Sequence, residues 1–210
     1  MASKSYHLII VESPSKATTL KKFLGDKYLV EASVGHIRDL PKKELGIETD
    51  KQFNPRYVQT IEKTNLKNIK SALSKSSALY LATDSDREGE AIAWHLVELL
   101  KPNVPVKRLV FHEITKDAIL DSFNHTRDID MDLVKAQETR RMIDRLFGFP
   151  VSNKLWKNVK SKLSAGRVQS PAIKIVVDRE KERSKFVKSE YWSVTAGLKK
   201  DDIIFQASLV

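Results

Sequence analysis

Four times in its first 125 residues the chain moves from a short apolar run into a polar turn or loop and then into a stretch with helical character. The apolar runs are residues 8–11, 28–34, 78–83 and 106–111. The first is uninterrupted and β-branched, as expected of a strand buried on both faces. Ser13 then caps a helix with Pro14 at its first position, and that helix runs through Lys16, Leu20, Phe23 and Leu24 to Gly25. Residues 42–68 read as a polar, irregular excursion, with a short helix over 68–74. Pro102 and Pro105 break the helix that follows the third run, and Thr115 caps a helix over 116–123. Such alternation predicts a parallel sheet with crossover helices, an α/β fold.

The turn after the third run is packed with acids. Asp84, Asp86 and Glu88 occupy alternate positions, so an extended backbone points Asp84 and Asp86 the same way as the helix begins. Carboxylates facing one point repel unless something neutralises them, and sparse oxygen ligands suit Mg²⁺, which keeps several waters. The alternative is a solvated acidic cap of the helix. Glu12 ends another strand, with Lys16 about one helical turn further on, and open α/β sheets bind ligands beyond the carboxyl ends of their strands. Glu12, too, has an alternative as a capping carboxylate only.

There is no cysteine, which excludes disulfides, thiol catalysis and cysteine–zinc sites. The run at 8–11 is too short for a signal peptide or a membrane span, so a cytoplasmic protein without membrane contact is expected. Charge is uneven: residues 131–188 hold 15 basic and six acidic side chains, and carry +9 of the net +10. A basic module after a nearly neutral one fits a polyanion partner, or else a lysine-rich solvated surface. From Asp132 the pattern is helical. Ala136, Met142, Ile143 and Leu146 share one arc, while Gln137, Arg140, Arg141 and Asp144 share another. Arg140 and Asp144 stand four apart, a spacing that can hold a guanidinium for a phosphate. Gly148-Phe149-Pro150 is expected to end this helix, and a further one passes through Leu155 and Trp156. The loop over 163–170 leads to a capped helix start at Pro171, where backbone amides favour phosphate. Residues 191–198 and 203–209 alternate as two strands, and a lone hairpin is marginal in water, so the chain reads as stopping partway into another domain.

Five segments, in order, resemble the type IA DNA topoisomerases, bacterial topoisomerase I branch: Val11-Glu12-Ser13-Pro14-Ser15-Lys16, Gly35-His36-Ile37-Arg38-Asp39-Leu40, Asp84-Ser85-Asp86-Arg87-Glu88-Gly89-Glu90-Ala91-Ile92, Arg140-Arg141-Met142-Ile143-Asp144-Arg145-Leu146 and Ser164-Ala165-Gly166-Arg167-Val168-Gln169-Ser170. The acidic turn is shared by every TOPRIM domain, primases and nucleases included; the Gly-Arg-Val-Gln segment after an Arg-Arg helix is more specific. The resemblance implies a TOPRIM, Rossmann-like parallel sheet flanked by helices over 1–130, a mainly helical DNA-gripping part over 131–188, and the start of a β-containing arch domain over 189–210.

It also implies an ATP-independent reaction, in which a tyrosine joins the 5′ phosphate of a single strand, another strand passes, and the break is resealed. Glu12 is then the general acid–base and Lys16 the stabiliser of charge on the phosphate, while Glu12, Asp84, Asp86 and Glu88 hold Mg²⁺. His36, Arg140, Arg141, Asp144, Phe149, Trp156, Ser164, Ala165, Gly166, Arg167, Val168 and Gln169 grip DNA, chiefly single-stranded segments of negatively supercoiled DNA. Phe149 and Trp156 equally suit a helical core. The resemblance implies a monomer associated with the nucleoid. The family's Arg-Thr-Asp-Ser-like segment beside the nucleophilic tyrosine does not occur here, so an N-terminal fragment inactive alone is expected. The alternatives are a TOPRIM nuclease or primase, and a non-catalytic metal- or DNA-binding module.

Overall fold

The computed structural model describes residues 6–209. β1 (Tyr6–Val11) is the uninterrupted apolar run, with Leu8, Ile9, Ile10 and Val11 all buried. The Ser13 hydroxyl accepts from the Lys16 amide at 3.3 Å and so caps α1 (Pro14–Phe23), as its sequence predicts. β2 (Tyr28–Ala32) follows. The excursion is organised by four two-residue strands, β3 (Arg38–Asp39), β4 (Ile47–Glu48), β5 (Asn54–Pro55) and β6 (Val58–Gln59), with β3 antiparallel to β6 and β4 to β5. α2 (Lys63–Ser74) starts earlier than expected, because Leu66, Ile69 and Leu73 already form one apolar stripe. Then come β7 (Ser76–Leu81), α3 (Arg87–Leu100), β8 (Val106–Arg108) and α4 (Lys116–Ser122), the last capped by Thr115.

The sheet is parallel throughout, in the order β2-β1-β7-β8. Strand alternation divides its side chains between two cores. Leu8 and Ile10 of β1 join Leu79, Leu81, Ile69, Ile92 and Leu96 under α2 and α3. Ile9 and Val11 join Leu20, Val30, Leu109 and Ile119 under α1 and α4. From β1 the chain first winds outward to β2, then crosses back to the other side of β1 for β7. The crevice beyond the ends of β1 and β7 is therefore the topological switch point, where such sheets bind ligands.

α5 (Met131–Asn158) departs from expectation. It runs unbroken through Gly148, Phe149 and Pro150, with Pro150 inside the helix. A proline removes one donor, here the one due to the Leu146 carbonyl, which is a local loss that a long packed helix survives. Burial also differs. Val134 and Gln137 are buried, whereas Ala136 and Ile143 of the anticipated apolar arc are exposed. α5 packs on α3, where Gln137 meets Glu88, and the arc with Gln137 and Arg141 faces inward beside the buried Val134.

One compact unit ends at Gly166 and another begins at Arg167. The second contains α6 (Gln169–Lys185), β9 (Thr195–Lys200) and β10 (Ile203–Ser208). α6 starts at Gln169 behind Val168 rather than at Pro171, without a side-chain cap. β9 and β10 form an antiparallel hairpin in register from Thr195↔Ser208 to Lys200↔Ile203, turning at Asp201, whose φ of 55° an aspartate tolerates. Among the described residues no helix is long and apolar enough to cross a membrane.

Candidate functional site

Parallel pairing brings β1 and β7 to an end side by side, with the Ala82 amide donating to the Ile10 carbonyl at 2.8 Å. Glu12 and Asp84 thereby meet at the switch point. The Asp84 amide donates to Glu12 Oε1 at 2.6 Å, and Lys16 Nζ pairs with Asp84 Oδ1 while standing 3.9 Å from Glu12 Oε2. One ammonium thus bridges two carboxylates. Burial pushes the Glu12 carboxyl above the ordinary carboxylate range. Lys16, hydrogen-bonded to Asp84, holds that carboxyl below it. Two acids in one crevice are driven in opposite directions, and Glu12 is the one that holds a proton more readily.

The backbone of Glu12 is held as well. Its carbonyl accepts from the Val34 amide at 3.0 Å and the Gly35 amide at 3.4 Å. Both residues lie in the left-handed region, with φ of 58° and 87°, natural for the glycine and strained for the β-branched valine. Such strain persists where surroundings over-determine it, and here it abuts the site.

The other acids are not gathered as the alternating pattern predicts. The chain turns after Asp84 instead of staying extended. Asp86 becomes the N-cap of α3, accepting from the Gly89 amide at 2.9 Å, and Glu88 accepts from Gln137 Nε2 at 3.2 Å. Among the described residues no three carboxylate or imidazole groups are assembled around one point. Asp84 is 57% exposed, Asp86 is exposed and Glu88 is half-buried. The donor set, all carboxylate oxygen and open to water, fits a hydrated hard cation bound through few protein ligands.

Behind the turn lies a charged cluster that sequence reasoning missed. Arg108 and Glu90 are fully buried. Arg108 donates to Glu90 Oε2 at 3.1 and 3.0 Å, and also to the carbonyls of Leu81, Thr83 and Asp84. Arg127 grips both oxygens of Glu90 at 3.0 Å, and the Asp130 amide adds a bond of 2.7 Å. Burial alone would raise the Glu90 carboxyl, but the two guanidiniums hold it below its usual range. The cluster fixes the carbonyls on which the acidic turn is built. Its signal in the sequence is slight: an acid on the inner face of α3 and an arginine at the end of β8.

α5 lays its polar arc on this unit by three bridges: Gln137 to Glu88, Glu138 to the Tyr57 hydroxyl at 2.9 Å, and Arg141 to Asp39. Arg140 lies 3.9 Å from Asp144, as their spacing predicts. His36 is exposed on the loop before β3, its carbonyl accepting from the Thr60 hydroxyl. Phe149 stacks under Arg145 at 5.7 Å, and Trp156, half exposed, donates to the Leu163 carbonyl. Ala165 folds back on α5, its amide on the Ser152 hydroxyl at 3.0 Å and its carbonyl 3.0 Å from where a Cβ on Gly148 would stand. Ser164, Ala165 and Gly166 thus close the first unit, while Arg167, Val168 and Gln169 open the second.

The Toprim domain family matches residues 7–114, and a DNA topoisomerase family matches residues 128–209. The chain is 54% identical over 202 residues to DNA topoisomerase 1 of Streptomyces coelicolor, a match covering 90% of this chain and 21% of that protein. It is 53% identical over 206 residues to DNA topoisomerase 1 of Mycobacterium leprae, covering 91% and 22%. It therefore spans about a fifth of the length of these relatives. Full-length topoisomerase I from Thermotoga maritima superposes with a TM-score of 0.74 at 43% identity, over 90% of this chain and 32% of that one.

Proposed function

The chain belongs to the bacterial type IA DNA topoisomerase I family, and on that premise we propose that it forms the metal- and leaving-group side of a DNA strand-cleavage centre. The observation that carries this is the meeting of Glu12, Lys16 and Asp84 at the switch point, next to a helix that presents Arg140 and Arg141. The reaction is a transesterification. A tyrosine oxygen outside this chain attacks a backbone phosphorus, the bond from phosphorus to the 3′ oxygen breaks, and a 5′-phosphotyrosine forms. Glu12 delivers a proton to the departing 3′ oxygen and takes it back on resealing. Lys16 stabilises charge developing on the phosphate. A Toprim domain is generally a divalent-metal-binding domain, and here Glu12 and Asp84, with Asp86 and Glu88 of the same turn reached through the ion's waters, would hold Mg²⁺, supplying positive charge opposite the DNA backbone. His36, Arg140, Arg141 and residues 164–166 hold the single strand, and Phe149 and Trp156 are candidates for stacking; Arg167, Val168 and Gln169 are DNA-binding residues of the second unit.

Two measurements test this. Arg141→Ala should weaken binding of a single-stranded oligonucleotide and lower the slope of log affinity against log salt by about 0.7, the loss of one phosphate contact. Unchanged affinity and slope would place Arg141 outside the interface. The 210-residue chain alone should leave negatively supercoiled plasmid unrelaxed, because its five tyrosines lie outside the nucleophile's context. Relaxation by the purified chain would overturn the proposed division of the site.

A further inference from the structure

Arg141 reaches Asp39 through two parallel bonds, Nε to Oδ1 at 2.8 Å and Nη2 to Oδ2 at 2.5 Å. The carboxylate is itself anchored, since Oδ1 also accepts from the Leu40 amide at 2.7 Å. Its strand, β3, is fixed from the other side. Arg38 lies 5.1 Å from the centre of the Trp94 ring and 5.5 Å from that of Tyr57, and its Nε donates to His95 Nδ1 at 3.1 Å. That acceptor requires a neutral imidazole, and burial, followed by Arg38 itself, pushes the His95 pKa down to about 4. Neighbouring residues of one strand thus do opposite jobs: Arg38 locks β3 onto α3, and Asp39 extends to α5.

A guanidinium has five N–H donors, and Asp39 takes two of them along one edge. The other edge of Arg141 makes no hydrogen bond among the described residues, and the side chain is 39% exposed against 26% for Asp39. An unheld arginine must give up side-chain freedom when it binds a phosphate. This one has already done so, with its Nη1 side turned away from the carboxylate. We propose that Asp39 is a positioning residue for nucleic-acid binding, holding Arg141 so that the free edge of its guanidinium meets a phosphate of the single strand. The inference rests on the DNA-binding role proposed above.

The test exploits a conflict of sign. Asp39 is an anion beside a polyanion's path. If it acts only through its charge, its removal strengthens DNA binding; if it acts by orienting Arg141, its removal weakens it. Anisotropy titration of a labelled single-stranded oligonucleotide should show Asp39→Ala binding about fivefold more weakly than wild type, and this penalty should vanish in an Arg141→Ala background. Asp39→Asn, which keeps one acceptor, should fall between, and it serves as the reading variant if far-UV circular dichroism shows Asp39→Ala unfolded. Tighter or unchanged binding by the Asp39 variants overturns the inference, as does a penalty that persists at full size without Arg141. A wild-type chain with no single-strand affinity overturns the functional reading itself, and this inference with it.

Discussion

Glu90→Ala is expected to lower unfolding stability by about 3–5 kcal/mol, the usual effect of removing one partner from a buried ion pair. The cause is what remains behind. Arg108 is fully buried, and without Glu90 its charge faces only the carbonyls of Leu81, Thr83 and Asp84. The Arg127 guanidinium keeps only the Asp128 carbonyl, and the Asp130 amide loses its acceptor. Urea unfolding followed by circular dichroism measures the change, and a loss below about 1 kcal/mol, the level of an exposed pair, would show that the cluster is hydrated. The pH dependence has a definite sign. The folded-state pKa of Glu90 lies below its ordinary value, so its contribution is fully present above the normal carboxylate range and is lost as pH falls through the depressed value. Wild type should therefore lose more stability on acidification than Glu90→Ala does.

Gly89→Ala is the second large effect. In an ordinary first helical turn, alanine for glycine is favourable by about 1 kcal/mol. At this position the added Cβ would stand 2.2 Å from the Asp84 carbonyl oxygen and 2.7 Å from the Asp84 nitrogen. Those atoms are backbone and cannot swing aside. The turn must move, and with it the Asp84 amide that donates to Glu12 and the Thr83 hydroxyl that donates to the Gly89 carbonyl at 2.6 Å. Overpacking of this kind costs about 1–3 kcal/mol, so the expected result is net destabilisation where helix propensity alone predicts the reverse. Thermal unfolding decides between them, with Gly25→Ala, which meets nothing within 4 Å, as the control. A variant as stable as wild type would mean that α3 can retreat from Asp84.

Both substitutions act on residues whose importance is hard to see in the chain itself. Gly89 and Glu90 sit inside a recognisable motif, yet nothing local says that one is needed for a close approach and the other for a buried charge. Arg108 lies 18 residues beyond Glu90 and becomes its partner because β8 pairs with β7. The same holds for Asp39 and Arg141, 102 residues apart and joined through β3 and α5.

What the chain dictates alone is whatever depends on near neighbours. The β-branched run of β1, the caps at Ser13 and Thr115 and the apolar stripe of α3 are local, so strand and helix order and an α/β sheet follow from spacing and capping chemistry. Glu12 and the acidic turn are legible as strand-end carboxylates for the same reason. Where local reasoning failed, a distant surface had the stronger claim. Asp86 is the exception, a cap of its own helix through a contact three residues along the chain, as the alternative reading of the acidic turn had it. The polar arc of α5 turned inward because polar groups awaited it, and the helix outlasted Pro150 because losing one hydrogen bond does not outweigh the packing of a long helix. Only the tertiary structure could bring Lys16 between Glu12 and Asp84 and hide an ion cluster behind them, since these are contacts between strands and helices that meet only when the sheet is assembled.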